Sequence, residues 1–251
     1  MNSNEEIVET TDILSEALSI LPRGEYITVK MQLETEAKRR IASKAVTYVK
    51  NFDAVLLDAG STVGLVAEEL FKQKKFLSVL TNNMAVYAAY LRAVNGAENG
   101  SNEKKLPDQG NELLITGGRY VDVYESLLGE GALNSIKGFT PNVVIMGTSG
   151  LKCDEDGGIY CHGSEETAVK TLLWTKQTDT RLIVTDWTKI CKRDASAFGV
   201  ITDLKRYADK KAVIVTNKPS REMYEKEPDL VRDFHNEVKK IEGYGIIVDI
   251  I

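Results

Sequence analysis

The chain has 251 residues, with 32 basic and 37 acidic side chains, a net charge of −5 and 43% hydrophobic residues. Those figures suit a globular protein with a full core; they argue against disordered, collagen-like and disulfide-scaffold chains, and the acidic balance argues against a surface built throughout for nucleic acid. No apolar run approaches the ~20 residues of a membrane span, the opening MNSNEE has no basic lead-in, and Cys153, Cys161 and Cys191 lack metal-finger spacing, so a cytoplasmic protein with no membrane partner, leader, disulfide or metal is expected.

The first predicted element is an amphipathic helix over Glu5–Leu21, ended by Pro22-Arg23-Gly24. Helical periodicity then recurs over Glu34–Lys50, Thr62–Lys75, Asn83–Ala93, Ser126–Lys137 and Ser164–Lys176. Short apolar runs alternate with these helices: Ala54–Asp58, Leu77–Thr81, Glu112–Thr116, Asn142–Gly147, Arg181–Asp186 and Ala212–Thr216. Near-continuous apolar strands in strand–helix–strand order predict an α/β fold, a mostly parallel open sheet with helices on both faces. Asn95–Asn111 is polar and Gly/Asn-rich, as expected of a surface insertion. Pro219–Gly243 predicts one or two helices, and Ile246–Ile251 an edge strand or a docking strand.

In an open α/β sheet ligands bind beyond the carboxyl ends of the strands. The strongest motif there is Asp58-Ala59-Gly60-Ser61-Thr62, where Gly60 permits a tight turn, Ser61 or Thr62 caps a helix, and the helix N-terminus offers N–H groups to an anion. Thr81-Asn82-Asn83 supplies amides suited to hydroxyls, Thr116-Gly117-Gly118-Arg119 a close-approach turn with a guanidinium, and Gly147-Thr148-Ser149 a small hydroxyl-bearing turn. Lys189, just past Asp186, offers a point charge to a phosphate. Neither a P-loop nor a dinucleotide fingerprint is present. His162, beside Cys161, and His235, on a charged helix, are left outside the site, and no Ser/His/Asp set is apparent.

Taken in order, DAGST, TNN, ITGGRY, ESLLGEGAL, VVIMGTSG, EETAVK and VTDWTK resemble the effector-sensing domain of DeoR-type sugar-metabolism repressors, from about Glu34 to about Lys218. EAKRRI at Glu36–Ile41 is similar to the connection between that family's DNA reader and its sensor. The resemblance implies a fold like ribose-5-phosphate isomerase and the CoA transferases. It also implies a phosphorylated sugar or related metabolite as ligand, no cofactor, and a dimer or tetramer. It assigns the ligand to Asp58, Gly60, Ser61, Thr62, Thr81, Asn82, Asn83, Gly117, Gly118, Arg119, Gly147, Thr148, Ser149, Glu165, Lys170, Asp186 and Lys189. Trp187-Thr188 departs from the small residues usual before the lysine.

Three segments follow: an N-terminal helix and lead-in (1–33), a sensor (34–218) and a C-terminal extension (219–251). Residues 1–33 carry only Arg23 and Lys30 as basic side chains, so no helix-turn-helix and no direct DNA binding by this chain are expected. The expected function is a phosphosugar-binding regulatory protein without catalysis. The alternatives are a sugar-phosphate isomerase on the same scaffold, with Asp58, Glu165 or Asp186 as base, and a ligand-free protein-interaction subunit.

Overall fold

The computed structural model describes residues 35–95, 109–153 and 158–251. The expected helix Glu5–Leu21, the segment read for a DNA reader and most of the Asn95–Asn111 insertion lie outside them. The elements are α1 (Thr35–Val46), β1 (Ala54–Leu57), α2 (Ser61–Gln73), β2 (Ser78–Thr81), α3 (Met84–Asn95), β3 (Glu112–Ile115), β4 (Arg119–Val121), β5 (Ser126–Leu128), α4 (Glu130–Gly138) and β6 (Val143–Gly147). Then come β7 (Gly150–Leu151), β8 (Ile159–Cys161), α5 (Ser164–Thr175), β9 (Thr178–Val184), β10 (Ser196–Gly199), α6 (Leu204–Tyr207), β11 (Ala208–Thr216), α7 (Arg221–Lys226), α8 (Pro228–Gly243) and β12 (Ile247–Ile250).

Seven strands form one sheet in the order β12-β11-β9-β6-β1-β2-β3, and each neighbouring pair is parallel. The chain moves outward from β1 through β2 to β3, then returns to the other side of β1 at β6. The β1–β6 junction is therefore the topological switch point, where a crevice opens between diverging connections.

Alternate residues along each strand feed the two faces. Val55, Leu57, Val143 and Ile145 pack with Ile41, Val66, Leu70 and Phe71 of the first helices. Leu56, Val144, Met146 and Ile183 pack on the other face with Ile136, Leu173, Trp174 and Ile241. Both faces are covered, which accounts for the unbroken apolar runs.

Two small antiparallel sheets, β4-β5 and β10-β8-β7, were not foreseen. The expected helix Ser126–Lys137 starts at Glu130 instead, because Ser126–Leu128 pairs with Arg119–Val121 and Gly129 turns at φ 89° before the first helical residue. The 219–243 segment forms two helices, and the tail is an edge strand paired to β11. Asp249 fastens that strand to Lys44 Nζ of α1 at 3.1 Å and to Tyr48 Oη in the turn after it at 2.6 Å. Among the described residues, no helix is long and apolar enough to cross a membrane.

Candidate functional site

At the switch point, β1 ends at Leu57 and the backbone turns through Gly60, at φ 135°, into α2. The expected caps are absent: Ser61 and Thr62 are the first helical residues, and no side chain caps the helix. The first-turn N–H groups have no intrahelical acceptor, so the turn presents donors and the positive end of the helix dipole. Across the crevice, β6 delivers Gly147, Thr148 and Ser149. Lys189 arrives from the short helical turn Trp187–Lys189 after β9, and Glu166 and Lys170 from α5. Ala59, Cys161, His162 and Val184 complete the lining, and the cavity holds about 60 Å³. That is room for a small polar group and a few waters, far below the ~300 Å³ of a pocket that encloses a whole drug-sized molecule.

Asp58 is fully buried beneath this floor. Its Oδ2 accepts from Lys170 Nζ at 2.5 Å and from the Gly147 N–H at 3.3 Å, and the same ammonium donates to the Gly147 carbonyl at 3.3 Å. Burial pushes the Asp58 carboxyl up, against the pull of Lys170. Burial would lower Lys170, but Asp58 and Glu166 outweigh it and hold the ammonium above its usual range. This ion pair ties β1, β6 and α5 together; its carboxylate faces no solvent.

Asp186 is nearly as buried, and its Oδ2 lies 2.8 Å from Lys189 Nζ. Burial would raise its carboxyl, but Lys189, the Thr188 hydroxyl and Lys38 of α1 together hold it below the carboxylate range. Lys189 thus reaches the crevice as expected, already paired through its own turn.

Of the expected ligand residues, Gly60, Ser61, Thr62, Gly147, Thr148, Ser149, Lys170 and Lys189 line the crevice, with Asp58 and Asp186 directly behind them. The others are placed differently. Thr81 Oγ1 donates to the Leu57 carbonyl and accepts from the Asn83 N–H, while Asn82 Nδ2 donates to Leu127 O. Asn83 Nδ2 donates to the carbonyls of Asp58 and Gly60. The Asn83 amide holds the Asp58–Gly60 turn from behind. Gly117 and Gly118 serve packing: a Cβ on Gly118 would lie 2.5 Å from the Leu128 carbonyl, and one on Gly131 would lie 2.6 Å from the Gly118 nitrogen.

Arg119 and Glu165 form an exposed pair at 3.3 Å, outside the crevice. The glutamate that lines it is the neighbour, Glu166, because in the first turn of α5 the two side chains point about 100° apart. His162 also lines the crevice, contrary to expectation, with Nδ1 2.6 Å from Asp194 Oδ2. Cys161, Lys38 and Asp194 were missed as well. No local motif marks them, since each is brought in by the small β7-β8-β10 sheet or by α1. Among the described residues no cluster of three His, Cys, Asp or Glu could hold a metal.

The three bases considered for an isomerase are poorly placed. Glu165 faces outward, Asp58 is sealed and ion-paired, and Asp186 is held ionised by Lys189, which makes it a weak proton acceptor.

Residues 33–208 match the family model of the DeoR C-terminal sensor domain. A glycerol-3-phosphate regulon repressor of Haemophilus influenzae is 26% identical over 182 residues, 72% of this chain and 63% of that protein. The transcriptional repressor AccR of Agrobacterium fabrum is 25% identical over 195 residues, 78% of this chain and 66% of that protein. The chain thus spans about two thirds or less of the length of the curated relatives it matches. Ribose 5-phosphate isomerase A of Methanocaldococcus jannaschii overlaps 62% of this chain and 54% of its own, with a TM-score of 0.40 and 13% identity, too loose a likeness to bear on function. The parallel sheet, the crevice at its switch point and the match over residues 33–208 lead to one assignment: this chain belongs to the DeoR family through its C-terminal sensor domain.

Proposed function

We propose that this chain senses a phosphorylated sugar or polyol and passes the signal to transcription as a cytoplasmic homo-oligomer. The observation that carries the reading is the meeting of an uncapped helix N-terminus with Lys189 in a crevice sized for one small polar group. A phosphoryl group placed there gains free N–H donors, the helix dipole and the Lys189 ammonium, whose other side is held by Asp186. The rest of the ligand lies outside the enclosed volume, beyond the crevice rim. One relative is a glycerol-3-phosphate regulon repressor, which supports a phosphorylated ligand. Binding shifts a population between subunit arrangements, and the chain itself makes no sequence-specific DNA contact.

The test is calorimetric binding of ribose 5-phosphate, glucose 6-phosphate and glycerol 3-phosphate to two lysine variants. Lys189→Ala should weaken the ligand that binds by about tenfold or more, the scale of one charge-assisted hydrogen bond. Lys192→Ala, three residues on, should leave it unchanged. Equal weakening by both would reduce the anchor to a basic surface and sink the reading.

A further inference from the structure

The crevice contains an ionisable pair that the phosphate reading does not use. His162 follows β8 directly and lines the crevice together with Ser61, Ser149 and Lys189. Its Nδ1 lies 2.6 Å from Asp194 Oδ2, and Asp194 also accepts from the Ala195 N–H at 2.7 Å. The two residues sit on different segments, one ahead of α5 and one beyond the Trp187–Lys189 turn, so the fold alone joins them. With Nδ1 engaged by the carboxylate, Nδ1 keeps its proton and Nε2 is the atom that titrates. A neutral Nε2 accepts hydrogen bonds; a protonated one donates and carries charge.

We propose that His162, positioned by Asp194, is a direct ligand of the anionic group that binds this crevice, so that the affinity of the site for an oxyanion is set by pH. The inference rests on the anion reading of the crevice given above and adds the group that regulates it. Asp194 suits the positioning role: burial would raise its carboxyl, but the His162 ring, the Ser149 hydroxyl and the Ala195 amide hold it far below the usual range. By reciprocity the carboxylate favours the imidazolium.

The groups facing His162 separate cleanly. From α5 come Glu166 and Lys170, from β8 Cys161, from the turn after β9 Lys189, and across Gly163 the hydroxyl of Tyr124. Burial raises the Cys161 thiol and the Tyr124 hydroxyl, and Asp58 and Glu166 raise Lys170 against its burial, which puts all three above the interval from pH 5.5 to 8. Glu166 is the neighbour that needs its own control.

Sulfate is the decisive probe, because it stays a dianion across this interval whereas a phosphomonoester itself titrates near pH 6. The chain has two histidines, so imidazole proton resonances can be followed by NMR and assigned with His235→Gln. In the wild-type chain, saturating sulfate should raise the His162 midpoint by about one pH unit and leave His235 unmoved. The linked affinity for sulfate, at constant ionic strength, should fall about tenfold from pH 5.5 to 8. His162→Gln should abolish that pH dependence, Asp194→Asn should lower the midpoint and weaken the dependence, and Glu166→Gln should keep it. Sulfate binding with an unmoved His162 midpoint, or an unchanged pH dependence in His162→Gln, overturns the proposal and leaves the anion site standing. Absence of binding by both sulfate and inorganic phosphate at every pH overturns the anion reading itself, and this proposal with it.

Discussion

Asp58 and Lys170 show why two charges sit in the floor of this site. An ammonium and a carboxylate 2.5 Å apart, both nearly fully buried, stabilise each other only as a pair. Removing one leaves an uncompensated charge, so Lys170→Met should cost about 3–5 kcal/mol in urea unfolding. Adding Asp58→Asn should recover part of that loss, and additive costs would contradict the pairing. Asp186 gives a pH signature. Its carboxyl is held low in the folded chain, so the stability it contributes is present above its unfolded value near 4 and is lost as pH falls through the lower folded value. Asp186→Asn should therefore flatten the acid limb of the stability–pH curve, and an unaltered limb would count against the ion pair with Lys189.

The helices and strands carry these residues by devices of uneven visibility. The parallel strands were legible because the central ones are apolar runs buried on both faces, as Val55 and Leu56 show by feeding opposite layers, and the exposed edge strands β3 and β12 keep the same apolar composition. β4, β5, β7, β8 and β10 were not, since two to four residues are too few to carry a periodic signal, whether mostly exposed as in β4 or buried as in β7 and β8. For the same reason His162 and Asp194 escaped notice: their meeting depends on the strands that flank them. The motif DAGST marked a turn that lines the crevice, yet Ser61 and Thr62 proved helical residues with the cap position held by Gly60. In ITGGRY the glycines were legible as close approach, and the structure sets that approach against the backbone of Leu128 and Gly131. Gly118→Ala must relieve both a φ of +120° and a 2.5 Å contact with a carbonyl. It should lower the melting temperature by several degrees or prevent folding. A melting point within one degree of wild type would show that the β4–α4 approach is looser than described.

The departure at Trp187 is explained at the same scale. Its ring packs edge-on against Phe234 of α8, centroids 5.9 Å apart, within a small cluster that includes Ile190 and Val238. The turn that carries Asp186 and Lys189 is thereby braced by the C-terminal helix. Phe234→Ala removes that brace and should cost about 3–5 kcal/mol while also weakening ligand binding. Loss of stability without any change in affinity would uncouple the extension from the site.

Across the whole molecule, charge is spread so that attraction is local. The net charge is −5, and the crevice brings Asp58, Glu166, Asp186 and Asp194 together with Lys38, Lys170, Lys189 and His162. Such a site does not gather anions by a broad positive field. The proposed selection is instead by donors around a small volume, namely the α2 amides, Lys189 and His162. The account therefore turns on the phosphoryl group, and the most direct measurement is thermal unfolding with a phosphosugar panel beside the matching free sugars. At 100 times its dissociation constant the cognate phosphate should stabilise the chain by about 2.7 kcal/mol, a rise of several degrees, while its free sugar at the same concentration leaves the midpoint unchanged. Equal stabilisation by the free sugar would contradict the account.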